Sequence, residues 1–345
     1  MPNSIAEIFL KLPCHGQEVR HECAYFDANT CRNYLSERRR LGFTLRTNGY
    51  SILSFARYID ALNSQEQPTI EIMAEWARKD QGNTGNPSTL ARRLNHLRPF
   101  CRYLQQFEPG TEVPDDNIFG RIGQRLAPHI YSDQEIIDLL GAARNLGSFI
   151  PGLRGATYET LFGLIASCGL RVSEAVHLLD TDVDLKSGIL TIRQTKFAKS
   201  RHVPLHPSTV KALEHYRSKR NLTIQVTDVT PFFIGTRGRH LGHGLSLRQV
   251  NRVFIGLRNQ LGWVNRGAHN GPRIHDLRHT FVVHRVLLWQ AQGLDVDQQM
   301  LALSTYVGHT NVTKTYWYLT GIPQLMAVTA KRFENFTQMP EVYHG

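Results

Sequence analysis

The sequence lacks the patterns typical of membrane spans, disulfide frameworks and repeat arrays. Its five cysteines in 345 residues are an odd number at irregular spacing, which argues against a disulfide framework and favours reduced thiols. The longest apolar run, residues 161–170, is about half the length of the roughly 20 residues that cross a bilayer. The N-terminal stretch has neither the basic start nor the apolar core of a signal peptide. We therefore expect a cytoplasmic protein without a membrane partner.

Acidic residues are scarce relative to basic ones. Asp and Glu number 29 against 40 Lys and Arg, which gives a formal net charge of +11. Residues 1–125 hold 16 basic and 14 acidic side chains, so most of the excess lies in the rest of the chain. This balance predicts an acidic partner such as nucleic acid.

The length suggests two domains, and a stretch rich in Pro, Gly and Asp separates them. We predict a helical first domain over residues 1–112, a linker over 113–127 and a second domain over 128–345. The first domain has helical periodicity for about four helices. Strand periodicity occurs in the second domain at 189–193 and 201–205. The predicted fold class is therefore mainly α with a small antiparallel β-sheet (α+β).

The last helix of the first domain begins after Asn86, Pro87 and Ser88 and carries a stripe of leucines. Its arginines fall off that stripe, and no acidic residue lies between Ser88 and Phe107. A solvated polar face is one interpretation. A face that contacts DNA phosphates is the other, because no neighbouring carboxylate neutralises these guanidiniums. We predict DNA contacts for Arg92, Arg93, Arg98 and Arg102.

Helices are also predicted along the second domain. A capping box, Ser132 to Glu135, opens the first of them. The further predicted helices cover residues 156–168, 172–179, 208–220, 246–261, 274–290 and 322–336.

Three segments of this domain, residues 169–175, 275–279 and 308–318, concentrate polar groups at helix starts and turns. Arg171 follows a Gly-Leu corner, and Glu174 three residues later lies on the same helical side. His275 and Arg278 have the same spacing. Converging arginines and histidines would form an anion site, because a guanidinium donates two parallel hydrogen bonds to a phosphate.

Metal sites are weakly supported by the sequence. The segment HDLRH, residues 275–279, is similar to the zinc motif HExxH, but Asp276 is shorter than the required glutamate and Arg278 would direct a cation at the metal. Near the N-terminus, Cys14, Cys23 and Cys31 with two histidines include no close CxxC pair. We predict no metal and no cofactor.

The three polar segments resemble the catalytic domain of the tyrosine recombinases, the phage-integrase family. The matching motifs are GLRVSEA, the hairpin TKFAKSRHVPL, HDLRHT, VGHTN and a tyrosine nine residues after the histidine of VGHTN. The resemblance covers residues from about 128 to 320. The helical first domain is similar to the core-binding domain of the same family.

The resemblance implies a catalytic set, which is Arg171, Lys196, His275, Arg278, His309 and Tyr318, with Glu174 as a supporting acid. It implies that the tyrosine attacks a phosphate of duplex DNA and forms a 3′-phosphotyrosine. The two arginines would hold the non-bridging oxygens, with the two histidines sharing that role or moving protons. The lysine would protonate the 5′-oxygen that leaves.

Two interpretations stay open for the nucleophile, for the hairpin lysine and for the packing of the C-terminal helix. Tyr316 lies about 200 degrees around a helix from Tyr318, so only one of them faces the phosphate. Lys199 competes with Lys196 in the hairpin, and we predict that Lys199 and Arg201 contact backbone phosphates. The C-terminal helix packs either on its own domain or, as the resemblance implies, on a neighbouring protomer.

The function expected from this resemblance is site-specific recombination of double-stranded DNA by an integrase or transposase of a mobile element. A type IB topoisomerase and a DNA-binding protein that does not cleave are the alternatives. The expected assembly is a homotetramer on two DNA sites, with accessory DNA-bending or partner recombinase proteins. We expect the protein to be associated with the nucleoid of a bacterium.

Overall fold

The computed structural model describes residues 28–62, 68–79, 86–115, 117–120, 125–147, 150–193, 200–309, 311–321 and 325–326. The chain forms two compact units, residues 1–125 and 126–345. The hairpin lysines Lys196 and Lys199, the cysteines Cys14 and Cys23 and most of the predicted C-terminal helix lie outside the described residues. No helix in the described part of the chain is long and apolar enough to span a membrane.

The first unit is helical throughout its described elements, which are α1 (Ala28–Arg40), α2 (Arg46–Leu62), α3 (Ile70–Arg78) and α4 (Pro87–Leu104). Local chemistry explains where two of them begin. The Asn86 side chain accepts a hydrogen bond from the Ser88 N–H, and Pro87 supplies the backbone angle of a first helical turn. The Thr69 hydroxyl caps α3 by accepting from the Ile72 N–H.

The core of the first unit is built on the predicted leucine stripe of α4. Leu94, Leu97 and Cys101 are buried, which confirms the stripe, and they share a cluster with Phe55 of α2 and Trp76 of α3. Removing such side chains from water supplies the main favourable free energy for folding a small unit. The other face of α4 is left for polar residues.

The second unit combines helices with the predicted small sheet. Its elements are α5 (Asp133–Arg144), α6 (Leu153–Cys168), α7 (Val172–Val176), β1 (Val183–Asp184), β2 (Ile189–Ile192), β3 (Arg201–Pro204), α8 (Pro207–Asn221), α9 (Leu247–Leu261), α10 (Ile274–Ala291), α11 (Val296–Val307) and α12 (Thr313–Gly321). The strands pair antiparallel in the order β1-β2-β3, with Ile192 opposite Arg201. The fold class, mainly α with a small antiparallel sheet, is confirmed.

Helix α6 lies at the centre of this unit and contacts α5, α8 and α10. Most of it is buried, since Leu161, Phe162 and Ile165 all have almost no exposed surface, whereas Ser167 near its end is exposed. A second cluster joins α10, α11 and α12 through residues such as Val283 and Met300. The segments that carry the predicted site therefore begin or end on well-packed helices.

In this unit, the start of α5 agrees with the prediction from the sequence, and the end of α7 differs from it. The capping box of α5 is present as predicted, with the Glu135 N–H donated to the Ser132 hydroxyl and the Ser132 N–H to the Glu135 carboxylate. The helix predicted over 172–179 ends at Val176, because Leu179 pairs with Pro231 and the Asp182 carboxylate accepts the Leu179 N–H. Helix α11 is an addition to the predicted elements.

Candidate active site

Arg171 is positioned by the turn that ends α6. Gly169 has a φ of +61°, and a Cβ at this position would overlap the Phe281 ring, so both the turn and its surroundings require glycine. Leu170 is buried, and Arg171 then becomes the first flanking residue of α7. The Gly-Leu corner therefore fixes the backbone from which this arginine extends.

Contacts on both sides hold the Arg171 guanidinium. Nη1 donates to Oε1 of Glu174 at 2.6 Å, and Nη2 donates to the Gly308 carbonyl at 2.8 Å. The side chain is 32% exposed, so solvent and a ligand can still reach it. Glu174 also accepts the Arg171 N–H at 3.0 Å, which ties this carboxylate to the start of α7.

Arg278 lies on α10, and the described hydrogen bonds of its side chain all go to main-chain carbonyls. Nη1 donates to the Gly169 carbonyl at 2.7 Å, and Nη2 donates to the Val307 carbonyl at 2.6 Å. Burial, with the charge of Arg171, lowers the pKa of Arg278 to about 10, which leaves the side chain cationic at neutral pH.

The carbonyls that bind these guanidiniums lie at the C-terminal ends of α6 and α11. A helix C-terminus carries partial negative charge, so it stabilises a cation placed against its last carbonyls. Gly308 ends α11 with a φ of +70°, and a Cβ there would lie 2.6 Å from Nη1 of Arg201. Two helix ends and two glycine turns thus hold Arg171 and Arg278.

Arg201 lies inside this arrangement. Its Nη1 and Nη2 donate to Glu174 at 3.1 and 2.8 Å, its Nε donates to the Tyr306 carbonyl at 2.8 Å, and the side chain is only 10% exposed. Burial acts to raise the pKa of Glu174, but Arg201 and Arg171 outweigh it and lower that pKa to about 2. The donors of Arg201 thus bind Glu174 and the main chain in this structure, and its contact with a DNA phosphate stays a prediction.

Tyr318 lies on α12, and its side chain is completely buried. Its hydroxyl and Nδ1 of His279 form a 2.7 Å hydrogen bond. The His309 ring lies nearly parallel to the Tyr318 ring, with centroids 6.5 Å apart, and Nδ1 of His309 bonds the Thr315 hydroxyl at 2.7 Å. The predicted nucleophile on α12 and the second predicted histidine, which precedes that helix, are therefore packed near each other.

Tyr316 has a different environment from Tyr318. A hydrogen bond to Asp297 raises the pKa of Tyr316, so ionisation of this phenol is disfavoured. Tyr318 lies close enough to Arg278 that the negative charge of an ionised Tyr318 would interact with that guanidinium. The surroundings of Tyr318 therefore suit a nucleophile better than those of Tyr316.

The HDLRH segment forms the first turns of α10. Asp276 is fully buried and accepts hydrogen bonds from the Arg273 N–H at 2.9 Å and from the Arg273 guanidinium. Its carboxylate therefore caps the helix. The His275 ring packs against the His279 ring, with centroids 4.8 Å apart. In the described part of the chain, no group of three or more His, Cys, Asp or Glu side chains could hold a metal ion.

The predicted DNA-contacting arginines of α4 divide into two pairs. Arg92 and Arg102 are exposed. The guanidinium of Arg93 lies 4.2 Å from the centroid of the Trp76 ring, and Nη1 of Arg98 donates to the Asn95 side chain at 3.3 Å. The first pair extends into solvent, and the second pair also contacts its own unit.

Comparison with known proteins gives matches over most of this chain. Residues 132–322 match the model of the phage integrase family. A protein named as an integrase/recombinase, y4rB of Sinorhizobium fredii, is 36% identical over 305 residues, which cover 88% of this chain and 95% of that protein. The tyrosine recombinase XerC of Thermodesulfovibrio yellowstonii is 31% identical over 67% of this chain and 70% of its own length. The chain belongs to the phage integrase family.

Solved structures share the fold of this phage-integrase chain. An integrase of the transposon Tn1549, in complex with transposon right end DNA, has a TM-score of 0.60 at 15% identity and covers 88% of this chain and 99% of its own. The site-specific recombinase XerH, bound to difH substrate, has a TM-score of 0.59 at 20% identity and covers 88% and 84%. At these identities the likeness supports the architecture.

Two residues of this phage-integrase site make contacts that the sequence does not predict. The sequence indicates a surface cation at Arg201, since nothing local shows that its guanidinium turns inward to Glu174. His279 enters the sequence argument only as the second histidine of the zinc-like HDLRH segment, and its contact with Tyr318 joins residues 39 positions apart. The spacing of His275 and His279 is the one signal in the sequence that could indicate it.

Proposed function

We propose that this chain is a site-specific DNA recombinase of the integrase or transposase type. It would cut and rejoin duplex DNA through a 3′-phosphotyrosine on Tyr318. The observation that supports this most is the anchoring of two guanidiniums, Arg171 and Arg278, on the turn that leads into the helix of the buried tyrosine.

The two arginines suit a phosphate whose negative charge increases during attack. A guanidinium has five N–H donors, and two carbonyls take up two of those of Arg278. Arg171, which is 32% exposed, would bind a non-bridging phosphate oxygen where it stands, whereas Arg278 is 1% exposed and its remaining donors would have to be uncovered when DNA binds. His275 and His309 would share that stabilisation.

The proposed reaction is transesterification that needs no metal. The Tyr318 oxygen bonds to phosphorus while the bond from phosphorus to the 5′-oxygen breaks, and Lys196 gives that oxygen a proton. The phosphodiester energy is kept in the tyrosine ester. A 5′-hydroxyl from another strand then attacks the ester and releases Tyr318, so no external energy source is required.

The first unit would bind DNA through Arg92 and Arg102 on the exposed face of α4, with Lys199 adding a backbone contact in the second unit. We propose a homotetramer on two DNA sites as the active assembly, formed through the C-terminal helix. Accessory DNA-bending proteins or a partner recombinase would complete it on the nucleoid.

A covalent-adduct assay tests this function. The bound DNA site is selected from fragments of the host genome, and a nicked half-site is then incubated with the full chain in EDTA. We expect a protein–DNA adduct that resists denaturation, its loss in Tyr318→Phe, and its retention in the matched control Tyr316→Phe.

Each other result has a distinct meaning. An adduct that survives in Tyr318→Phe but not in Tyr316→Phe would show that Tyr316 is the nucleophile. An adduct that rejoins only its original strand would indicate a topoisomerase. Binding without any adduct would indicate a DNA-binding protein.

A further inference from the structure

The hydrogen bond between Tyr318 and His279 brings a titratable side chain directly to the proposed nucleophilic oxygen. The Tyr318 hydroxyl and Nδ1 of His279 are 2.7 Å apart, inside the range for direct proton transfer. The tyrosine is 0% exposed and the histidine 3% exposed. Bulk water is therefore kept from the phenolic proton in this arrangement.

The position of His279 follows from packing on three sides. Its ring packs against His275 one turn earlier on α10, at 4.8 Å between centroids, and lies 6.5 Å from the Trp317 ring. Titratable and charged groups beside the pair include His275 and Arg278 from α10 and His309 from the turn before α12. The imidazole is thus fixed in the rotamer that meets Tyr318.

We propose that His279 is a catalytic residue that accepts the phenolic proton of Tyr318 when the tyrosine oxygen attacks the phosphate. The inference rests on the proposed recombinase function. The O–H bond of Tyr318 breaks and its proton moves to Nδ1 of His279, while the bond from oxygen to phosphorus forms and the 5′-oxygen leaves with a proton from Lys196.

The second half of the reaction returns this proton. When a 5′-hydroxyl attacks the phosphotyrosine, Tyr318 leaves as the oxygen of a phenol, and protonated His279 donates to it. One side chain therefore serves as base in cleavage and as acid in rejoining, as microscopic reversibility requires. Histidine suits this role because it changes its charge state near neutral pH.

The test separates proton transfer from hydrogen bonding. In His279→Asn, the amide oxygen takes about the place of Nδ1 and can still accept from Tyr318, but it cannot hold a proton. His279→Ala removes the contact. The matched control is His284→Asn, on the same helix, where the histidine is partly exposed near Asp133. Single-turnover adduct formation is measured on saturating nicked half-site DNA from pH 5.5 to 9.

We expect His279→Asn to bind DNA as the wild type does and to form adduct about 100-fold more slowly at neutral pH. Its rate should rise about tenfold per pH unit across the range, since attack then requires a Tyr318 that is already ionised. The wild-type and His284→Asn rates should level off once His279 is neutral. A wild-type rate and pH profile in His279→Asn would overturn the proposal.

A second measurement does not depend on cleavage. Tyrosine labelled with ¹³C at Cζ reports on the phenol, and the Tyr318 signal is identified by its loss in Tyr318→Phe. This signal should shift with the titration of His279 in the wild type and stay constant in His279→Asn. If wild-type protein forms no adduct on DNA that it binds, the proposed function fails, and an unshifted Tyr318 signal overturns the proton-acceptor role independently.

Discussion

Arginines in the two units of this chain are held in different ways. The anchored arginines, Arg171 and Arg278, bind carbonyls at two helix ends, and Arg278 has almost no exposed surface. The surface arginines, Arg92 and Arg102, extend from the exposed face of α4. In the proposed function, the same side chain would thus meet DNA either already fixed or ordered only on binding.

This difference separates catalysis from affinity. A fixed guanidinium lost its rotamer entropy during folding, so it stabilises a developing charge without a further ordering step. A mobile guanidinium is ordered only on binding and acts mainly by releasing counterions from DNA. We therefore expect the anchored arginines to act on the reaction rate and the surface arginines to act on affinity and its salt dependence.

Replacing one anchored arginine should have the largest effect. Arg171→Ala removes one fixed donor group, and we expect the rate of adduct formation on saturating DNA to fall by about 1,000-fold. The measurement is single-turnover cleavage of a nicked half-site. Arg102→Ala is the matched control from the surface pair and should retain the wild-type rate at saturation. Equal losses in both variants would contradict the division.

Glu174→Gln should weaken the support of the anchored arginines. The pKa of Glu174 is about 2 in the folded chain against an ordinary value of 4.5. Its stabilising effect is therefore complete above about pH 4.5 and is lost as the pH falls toward 2. We expect a loss of about 3 kcal/mol in the free energy of unfolding at pH 7, and a smaller loss at pH 3.

Urea unfolding at the two pH values measures this effect. The control is Glu159→Gln, which breaks the more exposed ion pair with Arg144 and should change the free energy of unfolding much less than Glu174→Gln does. A loss for Glu174→Gln that does not depend on pH would show that the ionised carboxylate does not stabilise the site.

Removing the two surface arginines together should change affinity. In Arg92→Ala/Arg102→Ala we expect the slope of log affinity against log salt to become less steep by about 0.9 for each phosphate that the variant no longer neutralises. The rate of cleavage on saturating DNA should stay within about twofold of the wild type, since neither side chain is held at the site. Titrations at several salt concentrations measure the slope. An unchanged slope would show that Arg92 and Arg102 of α4 do not neutralise DNA phosphates.

Arg93→Ala should have the smallest effect and should act on folding. Its guanidinium covers the Trp76 ring, so we expect a loss of about 1 kcal/mol in the free energy of unfolding. Its effect on the salt slope should be smaller than that of Arg92→Ala. Thermal unfolding of the two single variants compares them directly.

Much of the fold is predictable because its determinants are local. The leucine stripe of α4 and the capping box at Ser132 depend on residues within a few positions of one another. Helix α11 is missing from the predicted elements although its sequence, VDQQMLALSTYV, carries a helical stripe. Val296, Met300, Leu303 and Val307 recur at steps of four, three and four, and all of them are buried. The predicted helix after Arg171 is too long because Leu179 pairs with Pro231, a partner from a distant segment.

Some features of the candidate site are likewise predictable from local sequence, and others are not. Arg171, Glu174 and Arg278 are predictable from motifs, and the structure places all three around the same helix ends. The inward direction of Arg201 and the bond between His279 and Tyr318 arise from packing between segments that are far apart in sequence. Local periodicity carries no information about such partners.

The carbonyls that hold the anchored arginines belong to the main chain, at Gly169, Val307 and Gly308. Peptide groups are the same whichever side chains surround them, so most neighbouring positions can vary during evolution without releasing the guanidiniums. The two glycine turns are the exception, because other residues do not fit there. Side-chain changes on the surface around the site should therefore leave Arg171 and Arg278 anchored.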